Sequence, residues 1–294
     1  MKRKLIFVLL CGGIFMNLTA QRIEVKEPQL VKEAGTEAYY PKFTPDGKTI
    51  LLTAADWAGL KSFDLETKTV RQLTTVASAG LDPVVSDDSK TVIFQKMDYS
   101  VNPWGARSYH SFDMKTQQAQ QVVSPLIPAE TKPLTLMKSK AGIKSSIIVH
   151  ISQDLQIVVE RNGQQTILTP NGADQPYIWA VLSPDQTKIA YVAPWMGEED
   201  AFVCDLQGNV LANLGKVNAP QWLDNDWVVG MDDKDDGHVI TGSDIVGATA
   251  NGKVRQKLTS GEKAAMYPAV SPDGKKIAFN TLEGELYIME VIVK

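Results

Sequence analysis

Pro268-Ala-Val-Ser-Pro-Asp-Gly-Lys-Lys-Ile-Ala-Phe279 decides the fold, because the chain repeats it. Close copies are Pro41-Lys-Phe-Thr-Pro-Asp-Gly-Lys-Thr-Ile-Leu-Leu52 and Ala180-Val-Leu-Ser-Pro-Asp-Gln-Thr-Lys-Ile-Ala-Tyr191. A worn copy reads Pro83-Val-Val-Ser-Asp-Asp-Ser-Lys-Thr-Val-Ile-Phe94, and another begins at Pro220-Gln-Trp-Leu223. Pro41 to Pro83 is 42 positions and Pro220 to Pro268 is 48. Self-similarity at this period marks a repeat architecture, and a four-stranded propeller blade has this length.

Proline presets its own φ, aspartate favours a turn and glycine accepts the left-handed conformation, so Ser-Pro-Asp-Gly joins the first two strands of each blade. The second strand is apolar on both faces, as in Val92-Ile93-Phe94, which suits a sheet covered on both sides by neighbouring blades. Third strands follow at Leu60, Ser108, Ala201 and Glu285, and fourth strands at Arg71, Gln120, Gln165 and Gln256. Residues 133–169 lack the Pro-Asp-Gly turn but hold Ile147–Ile151, read as a second strand ending at His150, then Leu155–Glu160 and a fourth strand from Gln165. They count as a degenerate blade. The expectation is an all-β, six-bladed β-propeller of four-stranded antiparallel blades. The last repeat stops after its third strand, and Gln29-Leu-Val-Lys32 is an orphan fourth strand. Residues 28–33 are therefore expected to pair with Leu286–Glu290, closing the ring and covering its edge.

Residues 1–20 read as a secretory signal peptide: a basic Lys2-Arg3-Lys4, an apolar Leu5–Met16 and a small Ala20 before Gln21. Cys11 follows Leu10, not the small residue a lipidation site wants. Residues 21–294 then form a single domain, exported to the periplasm or beyond the cell, with no membrane span. One cysteine, Cys204, remains after processing and makes no internal disulfide; it reads as a small core residue. The formal charge is −4, more negative once the leader is removed, and there is no basic run. That argues against nucleic acid as a partner.

At these repeats the chain resembles the TolB-type propellers, with their Pro-x-Phe-Ser-Pro-Asp-Gly-Lys-x-Ile-Ala-Phe phrase. The resemblance covers essentially the whole mature chain and implies the six-bladed ring. The same phrase occurs in peptidase propellers and in lyases, so the resemblance speaks to fold rather than activity. Nor does the chain leave room for the α/β domain that precedes the TolB propeller.

Loops between strands two and three must collect on the rim opposite the Pro-Asp-Gly turns. Three of the six tryptophans fall in such loops, Trp57, Trp104 and Trp195. Large stiff rings at equivalent positions suit partner recognition; each would otherwise wedge its own blade. The loop Asp232-Asp-Lys-Asp-Asp-Gly-His238 brings Asp233, Asp236 and His238 to the same rim. Its spacing matches an EF-hand poorly, because Lys234 and Ser243 stand where ligands belong, and a solvated Asp-Gly turn explains it better. Only three histidines occur, His110, His150 and His238, widely separated. There is no Gly-x-Ser-x-Gly, His-Glu-x-x-His, Cys-x-x-Cys or glycine-rich phosphate loop. The sequence therefore reads as a monomeric binding or scaffolding module, with no catalytic, cofactor or metal residue assigned. Its partner would be a protein, peptide or glycan, held by Trp57, Trp104, Trp195, Asp233, Asp236 and His238. The alternative is a metal-dependent saccharide lyase or hydrolase using Asp233 and Asp236 with His150 or His238.

Overall fold

The repeated phrase closes its hairpin with its own side chains. In the computed structural model, which describes residues 22–98, 100, 106–121, 147–152 and 154–294, Ser271 Oγ donates to Asp273 Oδ1 at 2.6 Å and accepts from Lys276 N at 2.9 Å. Asp273 Oδ1 also accepts from Lys275 N at 3.1 Å. The same three bonds recur at Thr44–Asp46, Ser86–Asp88 and Ser183–Asp185. The residue after the aspartate has positive φ in every copy: Gly47 +69°, Ser89 +58°, Gln186 +59° and Gly274 +68°. Glycine is the least strained choice there, and two copies forgo it. Neighbouring turns also touch: Asp46 N donates to Ser89 Oγ and Asp185 N to Asn225 Oδ1, each at 3.0 Å.

The chain enters with β1 (Ile23–Val25) and β2 (Gln29–Leu30). Blade one is β3 (Tyr39–Phe43), β4 (Thr49–Thr53), β5 (Leu60–Asp64) and β6 (Val70–Thr74). Blade two is β7 (Val84–Val85), β8 (Thr91–Asp98), β9 (Ala106–Asp113) and β10 (Ala119–Gln121). Blade three holds β11 (Ile147–Ile151), β12 (Ile157–Arg161) and β13 (Gln164–Leu168). Blade four is β14 (Ile178–Leu182), β15 (Lys188–Trp195), β16 (Glu198–Asp205) and β17 (Val210–Gly215). Blade five is β18 (Asn218–Trp222), β19 (Trp227–Asp235), β20 (Ile240–Thr249) and β21 (Arg255–Lys257). Blade six is β22 (Met266–Val270), β23 (Lys276–Asn280) and β24 (Leu286–Val293). Every pairing within a blade is antiparallel and, apart from the closure of blade six described below, between strands consecutive in sequence. The result is a six-bladed β-propeller, as the repeat period predicts.

Second strands such as Thr49–Thr53, Lys188–Trp195 and Lys276–Asn280 are buried on both faces because the blades stack. Trp227, Met231 and Ile245 of blade five pack against Ile277, Phe279 and Met289 of blade six. Blade six in turn meets blade one through Ala278, Leu286, Ile50 and Phe63, which brings the ends of the ring together. Clusters of the same kind join blades one and two, three and four, and four and five. Cys204 is fully buried in the cluster between blades three and four, and burial pushes its thiol up to about 12. It is a core residue, as expected.

The N-terminus supplies the outer strand of blade six. Gln29 pairs with Ile288 and Leu30 with Tyr287, within the expected range, and Val31 N donates to Leu286 O at 2.9 Å. Lys32–Ala34 then turn into a short 3-10 helix. A second latch was not foreseen: Ile23, Glu24 and Val25 pair with Val293, Ile292 and Val291. Among the described residues no helix is long and apolar enough to cross a membrane.

Two assignments need correction. Ile147–Ile151 is the innermost strand of blade three, not its second, and Gln164–Leu168 is third, not fourth. The reason is a disguised turn: Ser152 Oγ accepts from Gln156 N at 3.0 Å and Leu155 takes φ +56°, so Ser152 does the work of Ser183 without proline or glycine. Also, Pro194, Trp195 and Asp232–Asp235 belong to strands rather than loops, because the hairpins of blades four and five run on past the rim.

Candidate functional site

Each described chain segment that enters an innermost strand arrives on the rim that carries the two-to-three loops. In blades one, two, four, five and six the residue at this entrance has a left-handed backbone: Tyr40 φ +50°, Asp82 +52°, Trp179 +51°, Ala219 +48° and Tyr267 +51°. In four of these blades it sits in a break of the strand register, between Tyr39 and Lys42, Ile178 and Val181, Asn218 and Gln221, and Met266 and Ala269. A bulge of this kind bends the strand and re-aims one side chain. All five side chains line one cavity of about 680 Å³ at the mouth of the central channel, to which every blade contributes. Blade three contributes Val149, His150 and Ile151 from a strand of unbroken register.

Aromatic rings dominate one arc of the mouth. Tyr40 stacks on Trp57 at 5.5 Å between centroids and meets Tyr267 at 4.5 Å. Trp57 remains 40% exposed and Trp179, in blade four, 37%. Blades one and four are opposite members of the ring, so exposed indoles stand on both sides of the mouth. Burial first, and then Tyr267 beside it, push the Tyr40 phenol up to about 12. Burial also raises Tyr267, with the charge of Asp233 adding to it. Both hydroxyls stay protonated; that of Tyr40 donates to Ala55 O at 3.4 Å and the two phenols lie within hydrogen-bonding reach of each other. The charged pair in the lining is Lys42 and Asp82, 3.9 Å apart, and Lys42 Nζ also donates to Pro83 O at 2.6 Å.

Of the residues singled out from sequence, Trp57 lines this cavity. Trp195 is 46% exposed on the projecting hairpin of blade four, edge-on to Phe202 at 5.8 Å, and is not part of the lining. Trp104 lies outside the described residues. Asp233 is buried behind the mouth, accepting from Asn218 Nδ2 at 2.9 Å and facing Lys216 Nζ at 3.8 Å. Asp236 Oδ1 accepts from His238 N and Val239 N, both at 3.0 Å, and these bonds lower its carboxyl below the usual value. It therefore holds its own exposed turn, with His238 on that turn. His150 is on the channel wall, while His110 stacks on Phe94 in a third strand. Among the described residues no three His, Cys, Asp or Glu side chains gather closely enough to share an ion. The sequence reading missed Tyr40, Trp179 and Tyr267, although they stand one position before the quoted phrase.

No family model matches the chain, and no curated protein matches it. Solved structures do. TolB from Acinetobacter baumannii is 20% identical, with a TM-score of 0.53 over 80% of this chain and 57% of that one. This chain thus spans little more than half the length of that protein. A putative TolB from Agrobacterium tumefaciens is 15% identical, with a TM-score of 0.56 over 93% of this chain and 99% of that one. An oligogalacturonate lyase in complex with manganese is 12% identical, with a TM-score of 0.51 over 88% of this chain and 78% of that one. The fold fits the TolB-type resemblance carried by the repeats. At these identities the likeness is one of fold.

Proposed function

We propose that this chain is an exported binding module of the bacterial cell envelope, receiving a protein, peptide or glycan partner at the loop-bearing rim. One observation carries the proposal: the rim surrounds a cavity of about 680 Å³ faced by Tyr40, Trp57, Trp179 and Tyr267. Rigid aromatic side chains around a concave opening give large contact area at small entropic cost. A ring of stacked blades keeps that opening preformed, which limits the ordering cost of association. Export is inferred from the leader-like residues 1–20, and the TolB-type likeness supports a recognition role by analogy of fold.

The proposal is tested with the mature chain immobilised and exposed to fractionated envelope proteins, peptides and glycans. A ligand retained by the parent and lost on Trp57→Ala, with the melting transition still cooperative, supports it. Retention unchanged by Trp57→Ala, Trp195→Ala and Tyr267→Ala together rejects this rim. The same fractions incubated in solution with divalent metals test the lyase or hydrolase alternative: metal-dependent cleavage of a polysaccharide would replace binding with catalysis.

A further inference from the structure

The five left-handed entrance residues carry side chains that the backbone there does not favour. An L-residue in this region is strained, and a bulky one is a genuine outlier. Glycine or asparagine would fit with least strain. Yet the chain places Tyr40, Asp82, Trp179, Ala219 and Tyr267 there, four of them directly before a proline, which narrows the backbone further. The ring does not require this conformation everywhere. In blade three the innermost strand pairs without interruption, and Ile148, opposite Glu160, is buried in it. Strain kept where a blade can be built without it points to a role for the side chains.

Resting on the binding reading above, we infer that these entrance positions form the specificity-determining ring of the cavity, and that the ligand is a neutral saccharide chain. Three observations select this class. Two partly exposed tryptophans, Trp57 and Trp179, line opposite sides of the mouth, and indole rings suit the apolar C–H faces of sugar rings. The phenols of Tyr40 and Tyr267 and the amide of Gln221 supply neutral hydrogen-bonding groups at the same opening. The ammonium of Lys42 and the carboxylate of Asp82 offset each other, so the pair offers no net charge to hold an acidic sugar.

The test titrates the mature protein with neutral hexasaccharides of glucose, xylose and N-acetylglucosamine, and with oligogalacturonate as an acidic comparator. Calorimetry and tryptophan fluorescence supply the readouts. At least one neutral saccharide should bind with quenching or enhancement of the indole signal, and oligogalacturonate more weakly. Trp179→Gly should weaken that binding by about tenfold or more while its melting temperature stays level or rises, since glycine relieves the backbone. Should Trp179→Gly fold poorly, Trp179→Asn, which tolerates the same conformation, takes its place and should lose binding equally. Absence of binding by every neutral saccharide overturns the inference, as does stronger binding of oligogalacturonate or full affinity in both Trp179 variants. If the saccharides fail but an envelope protein still depends on Trp57, the saccharide inference falls and the binding module stands.

Discussion

The side-chain amide of Gln256 grips both backbone polar groups of Ile23: Nε2 donates to Ile23 O at 2.5 Å and Oε1 accepts from Ile23 N at 3.0 Å. One side chain thus imitates a strand. It fastens β1, whose opposite edge is paired with β24 of blade six, to β21 of blade five. Ile23 itself is buried between those blades. Gln256→Leu keeps the bulk and removes both bonds. It should cost about 1–3 kcal/mol, because two partly buried backbone groups lose their partners. Urea denaturation should show a lower midpoint with an unchanged slope.

Removal of the whole latch is more severe. A mature chain lacking residues 21–32 exposes the edge of β24, an unpaired row of donors and acceptors. It should melt lower than the parent and associate in light-scattering measurements. A truncated chain as stable and monodisperse as the parent would show that the closure is dispensable.

Gly247 makes room for the same latch. A Cβ built there lies 2.7 Å from Ile23 Cδ1. Gly247→Ala should therefore destabilise the intact chain by about 1–3 kcal/mol through overpacking. In a chain that also carries Ile23→Ala most of that cost should vanish, and the double-mutant cycle reads the coupling directly.

The turn aspartates make stability depend on acid pH. The bond from Ser271 Oγ, followed by that from Lys275 N, holds the Asp273 carboxyl below its usual value; Ser86 and Lys90 do the same for Asp88. A carboxyl whose pKa is depressed in the fold contributes stability that is present above its unfolded pKa and lost as pH falls through the folded one. The stability difference between the parent and an Asp88→Asn, Asp273→Asn variant should therefore be constant near neutrality and shrink as pH falls below about 4. Melting temperatures across that window check it.

Trp57→Ala separates the proposed binding role from a folding role. The residue is 40% exposed and its ring stacks on Tyr40. Trp57→Ala should cost about 0.5–1.5 kcal/mol of stability, the value of one aromatic contact at a partly wet site. A loss several times larger would mark the ring as a wedge for blade one rather than a contact surface.

What could be read in the sequence was local. Ser271, Asp273 and Gly274 carry the turn in their own side chains and backbone, so the hairpins and their period stood out. Blade three was misplaced by one strand because Ser152 keeps the turn's hydrogen bonds while proline and glycine are gone. β1 was overlooked because a three-residue strand carries little pattern, and its partner Gln256 lies 233 positions away. The aromatic mouth was hidden for another reason. Tyr40, Trp179 and Tyr267 each precede a recognisable phrase, but only their positive φ reveals that they turn into the channel, and backbone strain leaves no mark in composition or periodicity.

Arg22 and Lys294 exchange two backbone hydrogen bonds, Arg22 N to Lys294 O at 3.1 Å and Lys294 N to Arg22 O at 2.9 Å. The ring therefore has a seam rather than a beginning and an end. In a chain trimmed to residues 22–294, a short flexible linker would join Arg22 to Lys294 without disturbing either strand, and new termini could be cut at the exposed Met196-Gly197 tip, where Met196 is 90% exposed. Such a circularly permuted propeller would carry its free ends beside the channel mouth instead of on the opposite rim, converting the opening into a site where a peptide or reporter could be tethered.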